Sequence, residues 1–120
     1  MVKYVDIFDM QKEKWTARIP LLEDMAQTHL GVDSDGERYI YLVSGQLGGA
    51  CRPPTRDCFV FDTKTRTFSK LPPLPKARYA PAVMLWRGRL HSVAGAEEDR
   101  NAPGTDHWSI AVAARTPWCQ

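Results

Sequence analysis

Apolar residues along the chain come in runs of about five, such as 39–43, 82–86 and 110–114, broken by Gly, Pro, Asp and Ser. Short runs rich in Tyr, Phe, Ile and Val predict β-strands. Tight-turn chemistry separates them at Asp33-Ser34-Asp35-Gly36, Asp62-Thr63-Lys64-Thr65-Arg66 and Arg87-Gly88. Pro72-Pro73-Leu74-Pro75 fits neither a strand nor a helix interior and reads as a linker. The one helix-tolerant stretch, 21–27, is short and falls in the equivalent linker.

The pattern repeats. Phe8 and Trp15 enclose six residues, and Phe61 and Phe68 enclose six residues again, at a shift of 53. Pro20 maps onto Pro73 at the same shift, and Gly45 maps onto Gly95 at a shift of 50. A third copy begins near His107-Trp108-Ser109-Ile110-Ala111-Val112. Periods of this length are the mark of repeat architectures. Each unit carries four strands, expected at 28–32, 39–44, 57–61 and 67–70 in the complete one. Two strands of a preceding unit are expected at 5–8 and 15–18. Three of a following unit are expected at 80–85, 90–93 and 109–112.

Four strands per roughly 50 residues, with this aromatic spacing, resembles the kelch repeat of β-propellers in the galactose oxidase/kelch superfamily. The resemblance implies an all-β fold of antiparallel four-stranded blades, here about two blades of an incomplete ring. It implies that Phe8, Trp15, Phe61 and Phe68 are blade aromatics on the third and fourth strands. It also implies an Arg ahead of the first strand, which Arg78 matches and for which the first unit has Ala26. The family's second strand ends in a glycine doublet. Here Ser44-Gly45-Gln46 and Ala94-Gly95-Ala96 keep one glycine each, Gly45 and Gly95. Stretches such as Ala77-Arg78-Tyr79-Ala80-Pro81-Ala82 and Thr105-Asp106-His107-Trp108 are similar to the plant kelch-repeat-containing proteins. The resemblance covers 3–112. The units are therefore placed at 1–18 (end of one blade), 24–70 (a complete blade) and 78–112 (start of the next), with a divergent tail at 113–120.

A propeller takes about 4–8 blades, and an open stack leaves apolar faces uncovered. The expectation is a piece of a longer propeller, with a ring of several copies as the alternative. The chain of 120 residues is 43% apolar and 25% charged, with 16 basic against 14 acidic residues and a net charge of +2. That balance suits a globular domain and gives no electrostatic reason to expect nucleic acid. No apolar run approaches the roughly 20 residues of a spanning helix, and no leader segment is visible. As written the chain reads as cytoplasmic. The plant resemblance implies an amino-terminal anchor and the secretory pathway or Golgi for longer relatives.

Candidate chemistry is sparse. His29, His91 and His107 occupy different repeat phases and are not expected to converge on a metal. Ser44, Cys51 and Asp57 lack the setting of a nucleophilic triad. Gly48-Gly49 lacks the strand-to-helix setting of a phosphate loop. Cys51 and Cys58 flank one loop and are read as separate thiols, Cys119 making an odd third. Trp86 and Trp108 join the blade aromatics as expected core. No cofactor is expected. The loop 45–56 and the linker 71–78 emerge on one face of a propeller, which puts Arg52, Arg56 and Arg78 together as a binding hypothesis. A planar guanidinium suits a carboxylate partner. The reading is a non-catalytic scaffold or interaction module with a protein or peptide on its loop face. The alternative is part of a propeller enzyme of the same superfamily, of oxidase, sugar epimerase or specifier type.

Overall fold

Among the described residues, every regular element is a β-strand and every strand pairing is antiparallel. The computed structural model describes residues 3–22, 27–48 and 52–120. Strands β1 (Tyr4–Asp9) and β2 (Lys14–Pro20) form a hairpin. Short β3 (Gln27–Thr28) pairs with β6 (Gln46–Leu47) at one end of the stack. Strands β4 (Gly31–Ser34), β5 (Tyr39–Val43), β7 (Cys58–Asp62) and β8 (Thr67–Leu71) make a four-stranded meander. Strands β9 (Ala82–Trp86), β10 (Arg89–Val93) and β11 (His107–Ala111) make a three-stranded one. The expected unit of four strands is therefore present once, flanked by two and three strands of its neighbours.

The first strand of each unit starts later than the pattern suggests. His29 and Ala80 both take a left-handed backbone, φ 53° and 45°. The His29 carbonyl accepts the Ala80 amide at 2.6 Å. The residue thus ties two units together, and the strand begins at Gly31 instead of Thr28. Gly31 sits where the innermost strands β4 and β9 come closest. A Cβ there would collide with the Val83 side chain and the Pro81 carbonyl.

The core lies between the two meanders. Tyr41, Val43, Cys58, Val60 and Leu71 project from the four-stranded sheet. Leu90, Trp108 and Ile110 meet them from the three-stranded sheet, and Leu74 fills in from the linker. The opposite face of the four-stranded sheet carries Phe59 and Phe61, also buried. The outermost faces remain open. Phe8 and Trp15 stay in ring contact at 5.1 Å, yet Trp15 is 70% exposed, and Trp86 is 54% exposed. The expectation that Phe8, Trp15 and Trp86 are core is thus corrected, whereas Phe61 and Trp108 are buried and Phe68 is half-buried. Alternation fixes which way a side chain points; burial also needs a neighbouring sheet, and these three lack one.

The aromatic–Asp pairs have a local cause. Asp9 Oδ1 accepts the Gln11 and Lys12 amides at 2.9 Å each, and Asp62 Oδ1 accepts those of Lys64 and Thr65. Each carboxylate folds its turn. Each turn then closes with a left-handed residue, Glu13 or Arg66. Asp62 also takes a two-pronged contact from Arg38, at 2.9 and 2.7 Å. That guanidinium, helped by the two turn amides, holds the Asp62 carboxyl well below the usual aspartate value of 3.8. A depressed folded-state pKa contributes stability that is complete above the unfolded value and fades as pH falls beneath it. The urea midpoint should therefore drop with acidification below about pH 4, and Asp62→Asn should flatten that slope. An unaltered acid slope in the variant would refute the role.

The tail repeats the same turn. Arg115 donates its amide to the Ala111 carbonyl at 2.9 Å, as Arg66 does to Asp62 at 2.7 Å. Cys119 then pairs with Ser109 through two backbone bonds of 2.7 and 3.0 Å. This register sets Trp118 opposite Ile110, the place Phe68 takes opposite Phe61. Trp118 is buried and its Nε1 donates to the Pro72 carbonyl at 2.7 Å. The segment 113–120, set apart in the sequence, thus supplies a fourth-strand aromatic.

Candidate interaction surface

The loop face is assembled where second strands end. Ser44 and Gly45, and Ala94 and Gly95, take positive φ in both units. The chain there bends back along the linker: Gly45 donates to the Arg78 carbonyl at 2.9 Å, and Thr55 donates to the Gly45 carbonyl at 2.7 Å. The Ser44 hydroxyl accepts the Arg78 amide at 2.8 Å and lies 2.7 Å from the Thr55 carbonyl. Ser44 is thus occupied by backbone and is not available as a nucleophile.

The three expected arginines divide. Arg78 is inside, its side chain 3% exposed. Its Nη2 pairs with Asp106 and lies 3.5 Å from Glu97, and its Nη1 donates to the Ala77 carbonyl at 3.0 Å. The guanidinium sits 5.4 Å from the Trp108 ring centre, and Gly104 leaves the room it needs. Arg52 and Arg56 are exposed and line one groove of ≈ 590 Å³ with Pro53, Pro54, Pro73 and Ala77. Arg56 Nε donates to the Leu74 carbonyl at 2.6 Å, and the Leu74 amide returns a bond to the Arg56 carbonyl at 2.9 Å. Tyr79 anchors the Arg52 carbonyl at 2.6 Å. No described residue pairs with the Arg52 guanidinium.

The register also relocates the counterpart of Arg78. Thr28 pairs with Gln46 as Tyr79 pairs with Ala96, so Gln27 stands at the Arg78 position, while Ala26 lies outside the described residues. Among the described residues, the arginine clasp is present at Arg78 and has no counterpart arginine in the preceding unit.

Sequence reasoning missed three features. Arg100 reaches the same end of the stack, donating to Gln46 Oε1 at 2.6 Å and lying 4.8 Å from the Tyr79 ring centre. Asp106, a counter-charge 28 residues from Arg78, carried no local signal. Two of the histidines do meet, against expectation: His91 Nδ1 and His107 Nε2 are 2.9 Å apart on neighbouring strands. Burial, then the His107 and Arg89 charges, push the His91 pKa down. His29 lies elsewhere. Among the described residues, no three His, Cys, Asp or Glu side chains cluster as a metal site. Cys51 and Gly49 lie outside the described residues, and so does the ring that Cys51 would close with Cys58. Cys58 is a free, buried thiol whose pKa is pushed up to about 12 by burial. No described helix is long and apolar enough to cross a membrane.

Stacked antiparallel meanders, joined at left-handed strand ends and closed by repeated aromatic–Asp turns, define kelch-type blades. The chain is homologous to kelch repeat-containing proteins. It is 52% identical over 109 residues to a kelch repeat-containing protein of Arabidopsis thaliana, a match covering 91% of this chain and 25% of that protein. It is 26% identical over 113 residues to Kelch-like protein 34 of Homo sapiens, covering 88% of this chain and 17% of that one. The chain thus spans about a quarter or less of the curated relatives it matches. No family model matches it.

Proposed function

We propose that the chain is a non-catalytic kelch-type interaction module whose groove between Arg52 and Arg56 receives an acidic segment of a protein partner. Residues 24–70 act as one blade, with 1–18 and 78–112 as parts of its neighbours in a larger propeller. The observation that carries the reading is two exposed guanidiniums on a groove walled by three prolines. Prolines and the Arg56–Leu74 bonds hold the walls before a partner arrives, which lowers the ordering cost of binding. Guanidinium forks then donate to carboxylates in two-pronged contacts. Arg78 drops out of the contact set because its side chain is buried and paired with Asp106.

A hexaglutamate peptide, titrated calorimetrically at low and high salt, tests this. Binding should weaken with salt. Arg52→Glu with Arg56→Glu should raise the dissociation constant by on the order of tenfold or more. Arg66→Glu, in the turn at the far end of the same sheet, should leave it unchanged. Equal affinity in the double variant would discard the groove.

A further inference from the structure

A second cavity, of ≈ 520 Å³, opens between the two meanders at the end opposite the Arg52–Arg56 groove: β5 runs from Tyr39 in its wall to Val43 beside the loop face. Cavities of roughly 300–1,000 Å³ suit small molecules. Val60, Leu85 and Val112 give it an apolar lining. Gly88 leaves the rim clear, with nothing within 4 Å of its missing Cβ. The polar groups are Asp35, Tyr39 and Tyr41 from the complete blade and Arg115 from the tail. Tyr41 is 5% exposed, yet no described residue bonds its hydroxyl, whereas buried hydroxyls as a rule have a partner. Asp35 Oδ1 accepts the Glu37, Arg38 and Tyr39 amides at 2.9, 2.8 and 3.0 Å. Those bonds hold its carboxyl below the ordinary aspartate value, so it is charged near neutral pH. Its Oδ2 pairs with no described residue. Arg115 Nη1 lies 3.4 Å from the Ser69 hydroxyl, and its guanidinium meets no described carboxylate. Two opposite charges thus line one cavity without neutralising each other. Both act on the same hydroxyl: burial, then the Asp35 and Tyr39 charges, push the Tyr41 pKa up, and the Arg115 charge pulls it down. The blade fold does not require this set. The next unit has Trp86, Arg89 and His91 where this one has Asp35, Tyr39 and Tyr41.

We propose that this cavity binds a small zwitterion of amino-acid type, its ammonium on Asp35, its carboxylate on Arg115 and the Tyr41 hydroxyl bonding it between them. The guanidinium fork donates to the carboxylate. The ammonium donates to the free Oδ2 of Asp35. The carbon chain between the two ends lies on Val60, Leu85 and Val112. A simple anion or cation would leave one wall charge unmatched, and a neutral solute would leave both. A zwitterion matches each end, and the apolar lining makes a mismatch costly. The site uses neither Arg52 nor Arg56, so it stands apart from the acidic-segment reading.

Ligand-detected nuclear magnetic resonance tests it, titrating the chain with unbranched amino acids of rising length, from glycine to aminohexanoate. One length should bind best, because only one spans the gap between the two charges. The N-acetylated and the amidated forms of that probe each lack one charge, and each should bind on the order of tenfold more weakly. Asp35→Asn keeps an oxygen for the turn amides, so the fold should hold while the preference for the free amine disappears. Arg115→Gln should likewise erase the preference for the free carboxylate over the amide. Tyr41→Phe should weaken the best probe several-fold with unchanged circular dichroism. A merely structural role for Asp35 or Arg115 would weaken free and capped probes alike and leave the charge preference in place. That result would overturn the proposal. So would a series in which no length binds at millimolar concentration, or capped probes that bind wild type as well as the free one does.

Discussion

Arg78→Ala should cost about 3–5 kcal/mol of stability, the range for breaking one side of a buried ion pair. Domains of this kind have about 5–15 kcal/mol in total, so the loss is a large share of the whole. The cause is what stays behind. Asp106 keeps its charge without its partner, Glu97 loses a neighbour, and the Trp108 face loses the guanidinium over it. The Asp106 side chain is 20% exposed, so water can reach it and the lower half of the range is the better expectation. The double change Arg78→Met with Asp106→Leu should recover most of the loss, because it removes both charges while keeping the volume. Urea unfolding followed by tryptophan fluorescence reads both. A loss under about 1 kcal/mol in Arg78→Ala, the level of an exposed pair, would contradict the buried clasp.

Gly45→Ala and Gly95→Ala should each be nearly as damaging. Their φ values, 91° and 90°, lie where a side chain costs about 1–3 kcal/mol on backbone strain alone. Space adds to this. A Cβ on Gly45 would come to 2.6 Å from the Thr28 carbonyl and 2.8 Å from the Leu30 Cα. One on Gly95 would come to 2.7 Å from the Tyr79 carbonyl. All of these obstacles are backbone, which cannot swing aside as a long side chain can. Gly36 makes the control: its φ is 76° and nothing lies within 4 Å of its missing Cβ. Gly36→Ala should show the strain cost without the collision. The excess of the other two over it, in the same urea experiment, measures how tightly adjoining units are laced. Equal losses at all three positions would mean the close approach carries no energy.

The strands, their grouping in fours and the strand-end glycines were legible in the sequence because their causes are local. Asp62 folds the turn beside it, and Gly45 takes a conformation that few residues tolerate. Pairing across the fold was not legible. Asp106 lies far along the chain from Arg78, and only the register of β10 and β11 brings His91 to His107. Trp118 escaped because its turn begins at Ala111, where the earlier units have Asp, and because one more residue separates the turn's close at Arg115 from the aromatic. The single kept glycine at 45 and 95 departs from the doublet of the resemblance, and both glycines take a positive φ. The exposure of Phe8 and Trp15 has a different source. Alternation reports a side chain's face, and nothing in a local pattern reports whether another sheet covers it. Of the candidate contact residues, Arg52 and Arg56 were readable from loop position. Arg78 sits on the same side but points inward, a distinction made by Gly104 and Asp106.

The most direct measurement is nuclear magnetic resonance of the arginine Nε–H groups during addition of hexaglutamate. The expected result is movement of the Arg52 and Arg56 signals, suppressed by salt, while the Arg78 signal stays fixed and slow to exchange with water. Movement of Arg78, or shifts of other arginine signals with Arg52 and Arg56 unmoved, would contradict an acidic-segment groove formed by the two exposed arginines beside a buried arginine clasp.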